Sequence, residues 1–206
     1  MDLSGSKVCL ILSCKRPFYA KRKEAQKDQN IAIEELGFKV LYLYGDPDIL
    51  FPEIRTEGDE NCLYVPIEDI YGNLTHKMLH AYRFLLEQRV AGVLKMDDNT
   101  FIRNYRIFKS NFTWYDYAGA DLGELWPETH TLKGGISYTT TELMLYFGGP
   151  FYWLSLKGLE QVVRTGFHYP AEDVNTGYAI NLDESMLIGN MEFYHSGCVS
   201  WDGDTE

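Results

Sequence analysis

Asp97-Asp98-Asn99 sets three oxygen-bearing side chains directly after the apolar run Gly92-Val93-Leu94-Lys95-Met96. Hard divalent cations such as Mn2+ and Mg2+ prefer carboxylate, carbonyl and water oxygens. If residues 92–96 form a strand of an open α/β sheet, the triplet lies beyond its carboxyl end, where such sheets bind ligands. A cation there can bridge to a diphosphate and neutralise it. The bland alternative is an acidic turn that caps Thr100-Phe101-Ile102. A second acidic group, Glu172-Asp173-Val174, follows Tyr169-Pro170 and precedes the apolar Tyr178-Ala179-Ile180. A carboxylate there can serve as general base toward a hydroxyl; the alternative is an acidic pair favoured by a helix N-terminus. His195, after Phe193-Tyr194, is either a structural histidine or a nitrogen donor to a cation otherwise held by oxygens. Gly148-Gly149-Pro150 is either a plain turn or a backbone platform that lets a bulky ligand approach closely. Around it cluster Tyr146, Phe147, Phe151, Tyr152 and Trp153, rings that either fill a core or stack on sugar faces.

The elements that must position these groups are legible in outline. Residues 7–13, 40–44, 62–66 and 92–96 are short apolar runs rich in β-formers, and read as strands. Residues 18–36 carry a helical pattern that ends at Gly37, a C-cap glycine. Residues 73–88 put Leu74, Met78, Ala81, Tyr82, Leu85 and Leu86 on one helical face, and Ser155 heads a third helix to Arg164. Strand–helix alternation with short connections predicts an α/β, Rossmann-like domain with a mixed, mostly parallel central sheet flanked by helices. The second half is less regular, with a loop-like stretch up to Thr141.

The 206 residues fit one domain, long enough to bury a core without disulfides or metals. With 30 Asp+Glu against 19 Lys+Arg, the net charge of -11 argues against nucleic acid and anionic membrane surfaces as partners. Aromatic residues at 15% exclude the composition of a disordered chain. No apolar run approaches the roughly 18–20 residues of a membrane span. Cys9, Cys14, Cys62 and Cys198 form no CxxC pair and no zinc spacing, which together with the lack of a signal-like leader reads as a cytoplasmic protein with reduced thiols. The sequons at Asn73 and Asn111 carry no weight without such a leader. The acidic run from Trp201 to Glu206 reads as a terminus or as a linker to further domains.

The order of these pieces resembles the β-1,3-galactosyltransferase and fringe-like glycosyltransferases of family 31, in a soluble form like those of large DNA viruses. The narrower likeness is to an N-terminal glycosyltransferase domain of a chlorella-virus protein. Five segments between Val8 and His195 carry it: the opening strand with Lys21-Arg22-Lys23-Glu24-Ala25; Tyr71-Gly72-Asn73-Leu74-Thr75-His76-Lys77; Lys95-Met96-Asp97-Asp98-Asn99-Thr100-Phe101; Phe147-Gly148-Gly149-Pro150-Phe151-Tyr152-Trp153; and Glu172-Asp173-Val174-Asn175-Thr176-Gly177. The resemblance implies a GT-A fold spanning 1–206, with a nucleotide-sugar half over about 1–100 and an acceptor half over about 101–206. It implies inverting transfer of a hexose or deoxyhexose from a UDP-sugar, with Mn2+ or Mg2+, to a glycan or glycoprotein hydroxyl, such as a viral capsid glycan. Asp97, Asp98 and Asn99 fall on the metal motif, His195 on the residue that completes the metal shell, and Asp173 on the base. Asn99 departs from the family's Asp; it removes one negative charge and leaves more of the metal to Asp98 or His195. Lys95, Asp97 and Asp98 are expected near the donor. Uracil and ribose are expected near Ser13, Lys15, Arg16 and Tyr44, with Arg22 or Lys77 adding charge near the diphosphate. Gly148, Gly149, Phe151, Tyr152, Trp153 and Glu172 form the expected acceptor side.

Two rivals stand beside this reading. One is a nucleotide-sugar or glycan binding module without catalysis, which Asn99 keeps in play. The other is a metal-dependent nucleotidyl or phosphoryl transferase, though the chain has neither GxGxxG nor GxxxxGK[ST].

Overall fold

A computed structural model describes the chain except residues 16, 104, 120, 121, 133, 134, 192–198 and 202–206. The chain opens with β1 (Lys7–Leu12), α1 (Pro17–Ala25), α2 (Lys27–Glu35) and β2 (Phe38–Gly45). The hairpin β3 (Glu53–Glu57) and β4 (Glu60–Val65) follows, then α3 (Leu74–Glu87), β5 (Gly92–Asp97) and β6 (Thr100–Ile102). The second half holds β7 (Tyr117–Gly119), β8 (Leu122–Leu125), β9 (Thr129–Thr131), β10 (Ser137–Thr139), β11 (Met144–Phe147) and β12 (Phe151–Ser155). It ends with α4 (Leu156–Thr165), α5 (Glu172–Asn181), β13 (Ile188–Asn190) and β14 (Val199–Trp201).

Eight strands form the central sheet in the order β13-β7-β12-β5-β1-β2-β4-β3. β1 pairs in parallel with both β2 and β5, β2 with β4, and β7 with β13. β12 runs antiparallel between β5 and β7, and β3 antiparallel along the edge of β4. The sheet is thus mixed and mostly parallel, as expected from the sequence. The chain winds outward from β1 through β2 to β4, then returns across α3 to place β5 on the other side of β1. That reversal opens a crevice at the carboxyl ends of β1 and β5, the usual ligand position in such sheets.

Alternate residues of the central strands enter two cores, as the two-residue period of a strand demands. Leu10, Leu41, Val93 and Leu154 pack with Met78, Tyr82 and Leu85 of α3 and Leu159 of α4. Cys9, Ile11, Tyr42, Leu94 and Trp153 fill the other face with Ile33 of α2 and with Ile107 and Phe112.

Three elements differ from expectation. The helical pattern of residues 18–36 divides at Gln26, because this buried side chain turns inward to the carbonyls of Asp97 and Thr100. Thr100–Ile102 is a strand paired with β14, so the acidic triplet caps no helix. The hairpin partner β3 was not foreseen; its exposed, charged Glu53-Ile54-Arg55-Thr56-Glu57 reads as loop because it lies at a sheet edge. Ser155 caps α4 as expected, accepting the Gly158 N–H at 3.2 Å.

Candidate active site

The crevice is built on the in-register ends of β1 and β5, where Leu12 pairs with Asp97. Just beyond, the Asp98 amide donates to the Leu12 carbonyl at 3.1 Å and the Ser13 hydroxyl donates to Asp98 Oδ2 at 2.7 Å. Arg22 of α1 donates to Asp98 Oδ1 at 3.1 Å. Asp98 is buried, and burial pushes its carboxyl above the usual range against the pull of Ser13 and Arg22. Both of its oxygens are engaged by protein groups, so Asp98 braces the turn, while Asp97 and Asn99 flank it with partly exposed side chains along the crevice. From below, Gln26 and Gln29 both donate to the Thr100 carbonyl, at 2.9 and 3.1 Å, and the Ile102 amide donates to Gln29 at 2.7 Å. These two glutamines, buried polar residues in a helical stretch, escape sequence reading because their partners lie some seventy residues away.

Lys95 lies on the same face of β5 as Asp97, two residues earlier, and is fully buried. Its ammonium donates to Asp97 Oδ1 at 2.6 Å, reaches Glu172 Oε1 at 2.7 Å, and donates to the Gly149 carbonyl. An ammonium has three protons, and these three acceptors take them all. The expectation that Lys95 contacts the donor is corrected: it has no proton left for a ligand.

Asp173 sits in the first turn of α5, partly exposed to the crevice. The Val174 amide donates to its Oδ1 at 2.8 Å and the Gly149 amide to its Oδ2 at 3.1 Å. Burial raises its carboxyl above the usual range, with Lys95 opposing. The loop before it is fixed by Thr75, whose hydroxyl donates to the Pro170 carbonyl at 2.7 Å, and by Asn175, whose Oδ1 accepts the His168 and Tyr169 amides. Glu172 points the other way, into the protein. The Tyr152 hydroxyl donates to its Oε2 at 2.8 Å, and burial pushes its carboxyl up to about 7 despite Lys95.

Three cavities join along this crevice. One of about 260 Å³ is lined by Asp97, Gly149, Glu172 and Asp173. A second, about 300 Å³, shares Leu12, Tyr71, Leu74 and Asp97 with it and adds Ser13, Arg22, Asp98 and Asn99. A third, also about 300 Å³, shares Cys14 and Tyr19 with the second and runs past Lys15 and Tyr44 to Glu57. Ser13, Lys15, Arg22, Tyr44, Asp97, Asp98, Asn99, Gly149, Glu172 and Asp173 therefore all line one crevice, with Asp98 engaged by Ser13 and Arg22 and Glu172 by Lys95 and Tyr152. Arg16 and His195 lie outside the described residues.

Two further expectations are corrected. Lys77, expected to add charge near the diphosphate, is buried and bonded to the protein: its ammonium donates to the Ser13 carbonyl and to Asp69, each at 2.6 Å, because it faces inward from α3 toward the end of β1. Phe151, Tyr152 and Trp153 offer no sugar platform: all three are at most 1% exposed, since β12 is an inner strand covered on both faces. Trp153 instead packs edge-on against Phe38 and Phe112. The half-exposed ring at the crevice is Tyr71, which lines two of the cavities and opens the Tyr-Gly-Asn-Leu-Thr segment. Among the described residues, no helix is long and apolar enough to cross a membrane.

No protein-family model matches the chain, and no curated protein matches it by sequence. Solved structures do. The catalytic domain of Drosophila β1,4-galactosyltransferase 7 in complex with xylobiose matches with a TM-score of 0.54 and 10% identity, over 97% of this chain and 71% of that one. A mutant of the same enzyme in complex with manganese, UDP-Gal and xylobiose matches with a TM-score of 0.53, at the same identity and coverage. At this identity the likeness speaks for the fold, and the fold is GT-A.

Proposed function

We propose that this GT-A domain is an inverting, divalent-cation-dependent glycosyltransferase that moves a hexose or deoxyhexose from a UDP-sugar to a hydroxyl of a glycan acceptor. The observation that carries the reading is the continuity of the crevice. It runs from Tyr44 and Glu57, past Ser13, Arg22 and the Asp97–Asn99 turn, to Asp173. That order matches a nucleoside, a diphosphate, a sugar and an acceptor laid end to end. The solved relatives with UDP-Gal, manganese and xylobiose support the same substrate class.

The donor set fits a hard cation: a carboxylate at Asp97 and an amide carbonyl at Asn99, both on a turn braced from three sides. Asp97 and Asn99 would hold Mn2+ or Mg2+, with His195 as a further ligand. Such a cation supplies Lewis-acid stabilisation of the leaving diphosphate. Arg22 adds positive charge on the same cavity wall.

Asp173 takes the proton from the acceptor hydroxyl as that oxygen bonds to C1 of the sugar and the bond from C1 to the diphosphate breaks, releasing UDP. The Gly149 and Val174 amides fix its carboxylate at the crevice wall. Its neighbour Glu172 is engaged by Lys95 and Tyr152, which supports Asp173 as the carboxylate that meets the acceptor. This arrangement supports one displacement with inversion. Tyr71 is placed to lie against the sugar, the role first expected of Phe151 to Trp153.

The reading as a family-31 enzyme like those of large DNA viruses, acting on a capsid glycan, rests on the five sequence segments, and its placement in a host cytoplasm on the cysteine pattern. Incubation with a panel of UDP-sugars and Mn2+, read as UDP release and sugar incorporation, tests the function. Calorimetric UDP binding without turnover on any donor would favour the non-catalytic binding module, which Asn99 and the engaged Asp98 keep as the second reading. Release of pyrophosphate in place of UDP would point to a nucleotidyl transferase.

A further inference from the structure

Lys95 joins the two halves of the crevice in one chain of side-chain hydrogen bonds, beside the backbone bond from the Asp97 amide to the Pro150 carbonyl at 3.3 Å. Its ammonium binds Asp97 Oδ1 on one side and the Gly149 carbonyl on the other. The amide of the same Gly149 holds Asp173 Oδ2 at 3.1 Å. Glu172 adds the third acceptor and is itself fixed by Tyr152, whose hydroxyl meets that of Tyr82 at 2.6 Å. We propose that Lys95 is a positioning residue: through Gly149, whose carbonyl it binds and whose amide holds Asp173, it ties the cation-holding Asp97 to the proton-accepting Asp173 and keeps the two at a fixed separation. The proposal rests on the glycosyltransferase reading above.

The geometry favours this role over plain charge neutralisation. Burial alone requires that an ammonium's protons find acceptors; what favours positioning is which elements supply them. Here all three protons have separate acceptors, from β5, from the β11–β12 turn and from α5, so the ammonium is fixed in three directions. Gly149 is also tight on one side, where an added methyl would push the Glu172 carboxylate back by a few tenths of an ångström. A Cβ there would stand 3.1 Å from Glu172 Oε1, 3.5 Å from Lys95 Nζ and 3.6 Å from Asp173 Oδ2. Gly149→Ala therefore removes no donor or acceptor but presses on the junction itself. Misplacement of a reacting group by about 1 Å can cost about a hundredfold in rate.

The test uses the full chain with two readouts. In the first, without cation or donor, 15Nζ NMR of lysine-labelled protein should show a slowly exchanging ammonium signal that Lys95→Met abolishes and Gly149→Ala shifts. In the second, with Mn2+ and a UDP-sugar, Gly149→Ala should lower kcat at least tenfold with the donor KM within threefold. The proposal is overturned if no protected ammonium signal depends on Lys95 and Gly149. It is equally overturned if folded Gly149→Ala retains kcat within threefold, or if its kcat and donor KM worsen together. Should Lys95→Met fail to fold, Gly149→Ala alone decides the matter. A wild type that releases no UDP from any donor overturns the functional reading and the positioning role with it, while the NMR signal still reports whether the junction exists.

Discussion

Ser13 donates its hydroxyl to Asp98 Oδ2 across 2.7 Å, joining the end of β1 to the turn after β5. The same carboxylate receives Arg22 from α1. Asp98→Ala removes the buried carboxylate that Ser13 and Arg22 share, and should destabilise the fold by about 3 kcal/mol, as loss of one partner of a buried ion pair does. Asp98→Asn should cost less, since it still accepts from Ser13. Urea denaturation of the three proteins measures both; equal stability of Asp98→Ala and wild type would show the brace to be idle.

Removal of Asp97 should abolish the cation's effect on the protein. In wild type, Mn2+ with UDP should raise the thermal midpoint, because a ligand that binds only the folded state stabilises it. Asp97→Ala should lose that shift. Asn99→Asp should strengthen it, by adding a negative charge to an oxygen-ligand site. Transfer that survives both EDTA and Asp97→Ala would sink the cation assignment.

Asp173→Asn should lower transfer by about 10²–10⁴-fold, the range of general acid–base contributions. UDP affinity in the presence of Mn2+ should stay within threefold, because the side chain keeps its size and faces the acceptor side. Parallel loss of binding and transfer would mark Asp173 as structural.

Glu172 makes stability depend on pH. Burial raises its carboxyl from 4.5 to about 7 in the folded protein, with Lys95 opposing. The folded state then holds more protons than the unfolded state between these values. The contribution is fully present below about 4.5 and is lost as pH rises through about 7. Without cation, wild type should lose about 2–3 kcal/mol relative to Glu172→Gln between pH 5 and 8. Denaturant titrations of both proteins at the two pH values give the difference, and a flat difference contradicts the buried-acid account.

Tyr71 and Trp153 should separate sugar contact from core. Trp153→Ala should destabilise by about 3–5 kcal/mol, the usual cost of emptying an aromatic core position. Tyr71→Ala should leave stability nearly unchanged and raise the KM for sugar substrate several-fold. Steady-state kinetics on both proteins, with melting curves, tests the assignment.

Much of the fold's first half was legible. β1, β2, β4 and β5 are short apolar runs whose pattern states their burial, and α3 declares its inner face by spacing. The helix at 18–36 was visible but its break at Gln26 was not, since the cause is a tertiary bond to carbonyls of another strand. The short strands β6 to β11 have three to four residues each, too few for a period to show. In the site, an acidic turn at a strand end is common by itself, and Asp97 to Asn99 and Asp173 stood out only through the order and spacing of the five segments. Lys77 and the aromatic run were misplaced because sequence shows that a residue is cationic or flat, not which way it faces. Residues on an inner strand such as β12 look the same as a binding platform until the sheet order is known.

The antiparallel course of β12 has one last consequence. Its pairing with β5, Phe151 opposite Met96 and Tyr152 opposite Lys95, works as a ruler. A slip of two residues would keep every core side chain on its own face, yet carry Gly149 about 7 Å along Asp97. The shapes of Trp153 and its neighbours, with the bonds of Tyr152 to Glu172 and of Trp153 to the Tyr115 carbonyl, oppose that slip. Selection for a well-filled interior and selection for an aligned reaction therefore act on the same few positions, and a lineage could not freely redesign one without disturbing the other.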